Sequence, residues 1–135
     1  MSDARLTLAG LLLIAEAILG IQVRRLVGAT NLGSAESALA APFVGSAAAE
    51  LYPDAATKAA ILCSRLIRNH PFPDGNKRIA HVAMRDFLAR HDYEWIRPTD
   101  DEAEEMINRL AAREMTEDDF VAWVRDHVLP GLTNP

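Results

Sequence analysis

The chain of 135 residues carries one cysteine, Cys63. That excludes an intrachain disulfide and any metal site built on a cysteine cluster. The setting of Cys63 in Ile61-Leu62-Cys63-Ser64 reads as helix, so the thiol is expected as a small buried hydrophobe rather than a nucleophile. Aromatic residues are scarce at 6%, and runs of β-branched residues are rare, whereas alanine and leucine are abundant. This leans the chain toward helix. Positive charge is not in excess: 14 Lys and Arg face 19 Asp and Glu, for a net charge of −5. General nucleic-acid binding rests on neutralising phosphates, so no direct nucleic-acid binding is expected, although a local basic patch is allowed. A long uninterrupted apolar run is also missing. Leu6 to Ile21 is strongly apolar, but Glu16 breaks it, and a membrane span needs about 20 apolar residues. Ala15-Glu16-Ala17 has the small-x-small form of a signal-peptidase site. Met1 to Arg5, however, has no net positive side-chain charge to precede such a signal. The expectation is a buried first helix and a cytoplasmic protein without a membrane partner.

What remains is ordinary globular composition, half hydrophobic and about a quarter charged, in a length that fits one domain over residues 1–135. A domain of this size buries about two-thirds of the surface exposed by its unfolded chain, enough for a real core. Apolar residues recur at helical spacing in five or six segments. The first runs from Arg5 to Leu19, with Gly20 as its stop. A second starts at Ser34, a natural N-cap, and ends at Ala41 before Pro42. Phe43 to Tyr52 is irregular, either a loop or a short hairpin. Pro53-Asp54 opens a helix with Ala59, Leu62, Cys63, Leu66 and Ile67 on its apolar face, ending near Arg68-Asn69. Asn76 then caps a helix that reaches Arg90, with Ile79, Ala80, Ala83, Phe87 and Leu88 inward. Tyr93 to Ile96 is a short extended connection. Thr99-Asp100-Asp101-Glu102 forms a capping box before a helix facing inward at Ala103, Met106, Ile107 and Leu110. The last helix starts at Thr116, turns Phe120, Trp123, Val124 and Val128 inward, and closes at Pro130-Gly131. The fold class is all-α: a compact single-domain bundle of about six helices.

One helix start differs from the others. The helices after Thr99 and Thr116 carry acids in the first turn, which suits the positive end of the helix dipole. The helix after Asn76 carries Lys77 and Arg78 there instead. Free N–H groups, the dipole and two cations all favour a bound anion, and a glycine turn before a helix is a ready phosphate site. The surrounding residues suit phosphoryl or nucleotidyl transfer. Gly75 lets backbone approach a phosphate closely. Asn76 can donate to a phosphate oxygen, and Arg78 can grip one through its planar fork. Asp74 can hold magnesium, which uses one or two carboxylates plus phosphate oxygens. His70 can take a proton from an attacking hydroxyl near neutral pH. Pro71 and Pro73 stiffen the loop, and Phe72 anchors it by burying its ring. Each residue alone has a plain explanation as a turn, a solvated histidine or a solvated helix start; their ordered combination does not.

His70-Pro71-Phe72-Pro73-Asp74-Gly75-Asn76-Lys77-Arg78 resembles the signature of the Fic/Doc superfamily, His-Pro-Phe-x-(Asp/Glu)-Gly-Asn-(Gly/Lys)-Arg. Leu32 to Pro42, Glu50-Leu51-Tyr52-Pro53 and Ile67-Arg68-Asn69-His70 resemble the death-on-curing (Doc) branch. The likeness runs from Leu6 to Val128. It implies a helical fold whose signature loop leads into a central helix. It also implies His70 as the base, Asp74 as the magnesium ligand, Gly75 and Asn76 as an anion hole, and Arg78 and Arg68 as phosphate-site arginines. In Doc-like members a lysine at the position of Lys77 goes with a reversed nucleotide, so that the γ-phosphate of ATP moves; glycine there goes with AMP transfer. The implied Doc target is a threonine of elongation factor Tu, whose phosphorylation halts translation. The implied partner is a Phd-type antitoxin that folds onto the toxin as a helix. Two positions depart from the branch: Gly75 stands where Doc has alanine, and Ile79 where threonine is common. AMP transfer and a non-catalytic nucleotide- or partner-binding module are the alternatives.

An inhibitory helix motif, (Ser/Thr)-x-x-x-Glu-(Gly/Asn), is approached by Ser46 to Glu50, but Leu51 follows, and the match reads as chance. Trp123 and Phe120 read as core. His127 suits the last turn of a helix. His81 and His91 show no metal-ligand spacing, and Asp100 to Glu105 reads as a cap followed by a solvated face.

Overall fold

A computed structural model describes residues 5–46, 49–96 and 100–131. Its described elements are α1 (Leu8–Leu19), α2 (Val23–Ala29), α3 (Leu32–Ala40), a 3-10 turn (Ala41–Phe43), β1 (Gly45–Ser46), β2 (Ala49–Glu50), α4 (Ala55–Asn69), α5 (Asn76–Arg90), β3 (Tyr93–Trp95), α6 (Asp100–Ala111), α7 (Glu117–Asp126) and β4 (Val128–Pro130). The architecture is all-α, decorated by two short antiparallel ladders.

The hub is α4, with ten of its fifteen residues buried. It packs on α3, α5 and α7, while α5 also meets α1, α6 and β3. Buried side chains from Leu6 to Val128 form one core cluster, including Leu11, Leu26, Leu62, Phe87 and Phe120. Cys63 lies in it, fully buried. Removal from water pushes its thiol well above the usual range and keeps it inert. Among the described residues no helix is long and apolar enough to cross a membrane.

Local chemistry explains the element boundaries. Thr7 Oγ1 accepts from Gly10 N at 3.1 Å and starts α1, and Gly20 ends it in the left-handed region at φ 70°. Asp54 caps α4 by accepting from Thr57 N at 2.8 Å, and Thr116 caps α7 by accepting from Asp119 N at 3.0 Å. The irregular stretch after Phe43 resolves as a strand pair, with Gly45 opposite Glu50. Both ends of the Ser46 to Glu50 stretch thus lie in strands, not in an inhibitory helix.

Several boundaries differ from the sequence expectation. The third helix begins at Leu32, because Asn31, not Ser34, is its cap; Asn31 Oδ1 accepts from Ser34 N at 3.0 Å. Among the described residues there are seven α-helices; α2 was not anticipated. It has no side-chain cap of its own at Gln22 and buries only Leu26. Its first N–H is satisfied from outside: Glu16 Oε2 accepts from Val23 N at 2.9 Å. The acid that breaks the first apolar run is therefore the cap of the next helix. The last helix stops at Asp126. Val128 is buried as expected, but in β4, paired antiparallel to β3 with Trp95 opposite Val128 and Tyr93 opposite Pro130. Thr99 of the expected capping box lies outside the described residues, but Asp100, Asp101 and Glu102 do occupy the first turn of α6.

Candidate active site

The site is built where α4 turns into α5. His70 is the C-cap of α4, held left-handed at φ 49° and ψ 54°, with its N–H donating to Leu66 O at 3.1 Å. A non-glycine residue in that region costs about 1–2 kcal/mol, so the turn is held by its neighbours. Those neighbours are visible. Pro71 O accepts from Asn31 N at 2.8 Å, tying the loop to the start of α3. Phe72 buries its ring, 2% exposed.

Asn76 does the rest, in a role different from the cap expected of it. It is the first residue of α5, and the cap position belongs to Gly75, left-handed at φ 69°. The buried Asn76 amide instead clamps the loop: Oδ1 accepts from Phe72 N at 3.0 Å and Nδ2 donates to Phe72 O at 2.9 Å. With its oxygen committed to the loop, Asn76 cannot satisfy the helix start. Nor does Asp74, whose Oδ1 accepts from Gly75 N at 2.8 Å. The start of α5 therefore has neither a side-chain cap nor an acid in its first turn. By contrast α1, α3, α4 and α7 are each capped by a side chain. Lys77 and Arg78 are exposed there, beside N–H groups with no side-chain partner, in the arrangement that favours an anion.

This turn opens into a cleft of about 1030 Å³. His70, Asp74, Gly75, Asn76, Lys77 and Arg78 line one end. Asp100, Glu104, Ile107 and Asn108 of α6 form a wall, and His81 and Arg85 continue the α5 side. The expected site residues thus meet at one cleft, except Arg68. Arg68 does not line it; its exposed guanidinium lies 3.6 Å from Glu117 Oε2 on α7. The same carboxylate accepts from Ser64 Oγ at 2.6 Å and Arg65 Nε at 3.0 Å. Burial acts to raise the pKa of Glu117, but the bonds from Arg65 and Ser64 and the charges of Arg65 and Arg68 outweigh it, and the net shift is downward.

His81, Arg85, Asp100 and Glu104 were not read as cleft residues. His81 and Arg85 follow Lys77 at intervals of four, so helical spacing alone carries that signal. The α6 wall had no such signal, because its register against α5 is a tertiary fact. Arg85 spans the two helices by pairing with Asp100 at 2.6 Å. Burial, then the charge of Arg85, lowers the pKa of His81 against the opposing pull of Asp100 and Glu104. The two other described histidines have structural partners: Nδ1 of His91 meets Phe87 O at 2.9 Å, and Nδ1 of His127 meets Trp123 O at 2.7 Å.

Among the described residues no group of three or more His, Cys, Asp or Glu is placed to hold a metal by itself. The Asp74 carboxylate keeps one oxygen free of the Gly75 bond. That suits magnesium, which takes one or two carboxylates and completes its shell with phosphate oxygens and water.

The sequence is similar to that of known proteins. It is 35% identical over 93 residues to Toxin Doc of Mycolicibacterium smegmatis, an alignment covering 68% of this chain and 72% of that protein. No solved structure matches the chain. The sequence model of the Fic/DOC family matches residues 6–88, from the start of the first helix through the signature loop and nearly all of α5. By that match, over more than half its length, the chain belongs to the Fic/DOC family.

Proposed function

We propose that the chain is a Doc-like toxin that transfers the γ-phosphate of ATP to a protein hydroxyl and so halts translation. The target carried over from the family resemblance is a threonine of elongation factor Tu, and the restraining partner is a Phd-type antitoxin. The reading places its action in the cytoplasm. The observation that carries it is the uncapped, doubly cationic start of α5, opening with His70 and Asp74 into one cleft.

In this reading the N–H groups after Gly75 and the Arg78 fork bind the phosphates. Asp74 would hold magnesium, whose role is to neutralise charge on the phosphate oxygens. The target hydroxyl oxygen forms a bond to the γ-phosphorus and its proton passes to His70. The bond from that phosphorus to the β–γ bridging oxygen breaks, and ADP leaves. A general base of this kind contributes about 10²–10⁴-fold. Lys77 favours phosphate over AMP as the transferred group, because its side chain crowds the phosphates in the orientation used for AMP transfer. Gly75 favours AMP transfer, since it follows the Fic pattern and not the Doc one.

Incubation with magnesium, cell extract and either α- or γ-labelled ATP separates these readings. Label from γ-ATP on a protein the size of elongation factor Tu is the expected result. His70→Ala is expected to slow it at least about 100-fold. Label from α-ATP would replace the kinase reading with AMP transfer. Calorimetric binding of ATP with no transfer would leave a binding module.

A further inference from the structure

His70 lines the cleft as an exposed residue, and among the described residues no hydrogen bond or ion pair reaches its ring. A general base is commonly oriented by a third group bonded to it. Here the imidazole is aimed by the backbone that carries it. That backbone is left-handed at φ 49° and ψ 54°, which a residue with a Cβ adopts at a cost. Its own N–H continues α4 by donating to Leu66 O, so the turn out of the helix needs other anchors. The residues on both sides of His70 are bonded to the start of α3. Asn69 Nδ2 donates to Ser34 O at 2.9 Å, and Asn31 N donates to Pro71 O at 2.8 Å. The two anchors are themselves joined, because Asn31 Oδ1 accepts from Ser34 N at 3.0 Å. The Asn76 clamp begins at Phe72 and serves the other half of the turn.

We propose that Asn69 is a positioning residue for the transfer reaction: its bond to Ser34, together with the bond from Asn31 to Pro71, splints His70 against α3 and so aims the imidazole. The inference rests on the base role proposed for His70 above, and it holds whether the γ-phosphate or AMP is the group that moves. Asn69 is half-buried and does not line the cleft, so it acts through the histidine that follows it. A reacting group works only when held within about 0.5 Å of its productive place. A base accepts a proton only within hydrogen-bond reach. The phosphates belong to the other half of the turn, where Gly75 and Arg78 stand at the start of α5. Loss of the splint therefore slows the step in which His70 takes the proton and leaves nucleotide binding alone.

Initial rates of label transfer from ATP into extract protein, taken on the full chain with magnesium over a range of ATP concentrations, test this. Asn69→Ala and Asn69→Asp both remove the donor at neutral pH, and the second keeps the shape of the side chain. Both are expected to lower the limiting rate at least about tenfold, within the roughly 100-fold that a 1 Å misplacement can cost, with the apparent KM for ATP unchanged. Ser64→Ala is the control. It weakens the tie to Glu117 further back on α4, and it should lower the melting temperature without changing the limiting rate. A wild-type limiting rate in both folded Asn69 variants, or a change confined to KM, overturns the proposal and leaves the transfer reading standing. So does a rate loss that Ser64→Ala reproduces at an equal loss of melting temperature. Should the wild-type protein transfer neither the α- nor the γ-label, the transfer reading itself falls, and this inference with it.

Discussion

Asn76 shows how one side chain converts a flexible sequence into a site. A Pro-Phe-Pro-Asp-Gly stretch has many accessible turns, and the paired bonds between the Asn76 amide and the Phe72 backbone select one. The selected turn leaves the start of α5 without a side-chain cap, so the residue that builds the loop also leaves that helix start open, as the proposed anion site requires. Replacing Asn76 by alanine strands a buried N–H and a buried carbonyl at Phe72, at a cost of about 1–3 kcal/mol. Urea denaturation of Asn76→Ala is expected to show that loss through a lower midpoint at unchanged slope. Transfer activity should fall under conditions where the variant is still folded, because His70 and Asp74 flank the released turn. Full activity in the folded variant would mean that the clamp serves stability alone. The sequence displayed this residue but not its use. Asparagine before a helix signals a cap, and a cap and a loop clamp need the same donor and acceptor. Only the path of the loop decides between them.

Among the elements, legibility followed periodicity and length. The helices now seen as α1, α4, α5, α6 and α7 each present several apolar residues at helical spacing, and each was anticipated to within a few residues at its ends. The shortest helix, α2, buries one side chain and takes its cap from Glu16 on another element, so no window of its own sequence announces it. Likewise β4 exists only because β3 lies beside it. The cleft was legible at its signature because that segment is local; the α6 wall needed the packing. The tie between α4 and α7 is also tertiary, and it centres on Glu117, whose side chain is 19% exposed. Glu117→Gln is expected to cost about 1–2 kcal/mol, since bonds to a charged group contribute about that much. Because the folded protein holds the Glu117 pKa below its unfolded value, the contribution is complete above the ordinary glutamate range near pH ~4.3. It disappears as pH falls through the folded value. Stability curves of wild type and Glu117→Gln should therefore converge on acidification, and a gap that persists at low pH would show that packing, not charge, makes the tie.

At the scale of the molecule the question is whether the family-matched segment and the remainder fold together. The match ends at residue 88, while α6, α7 and both strands of the second ladder follow it. Yet Ile107, Phe120, Val124 and Val128 belong to the same buried cluster as Leu11 and Leu62. α7 also packs directly on α4. An α4 stripped of α7 would expose apolar surface at about 25 cal/mol per Å², which a domain stable by only about 5–15 kcal/mol tolerates poorly. The whole chain is therefore expected to unfold as one unit. The sequence provides separate reporters for the test. Both tryptophans, Trp95 and Trp123, lie beyond the matched segment with their rings 5.6 Å apart, so fluorescence follows the C-terminal part alone. Far-UV circular dichroism follows all the helices, most of which lie before residue 91. Coincident urea transitions by the two probes are expected. A fluorescence transition that comes first, with most helicity retained, would mean that α6 and α7 form a separable cover. In that case the acidic wall of the cleft could open without disturbing the signature loop.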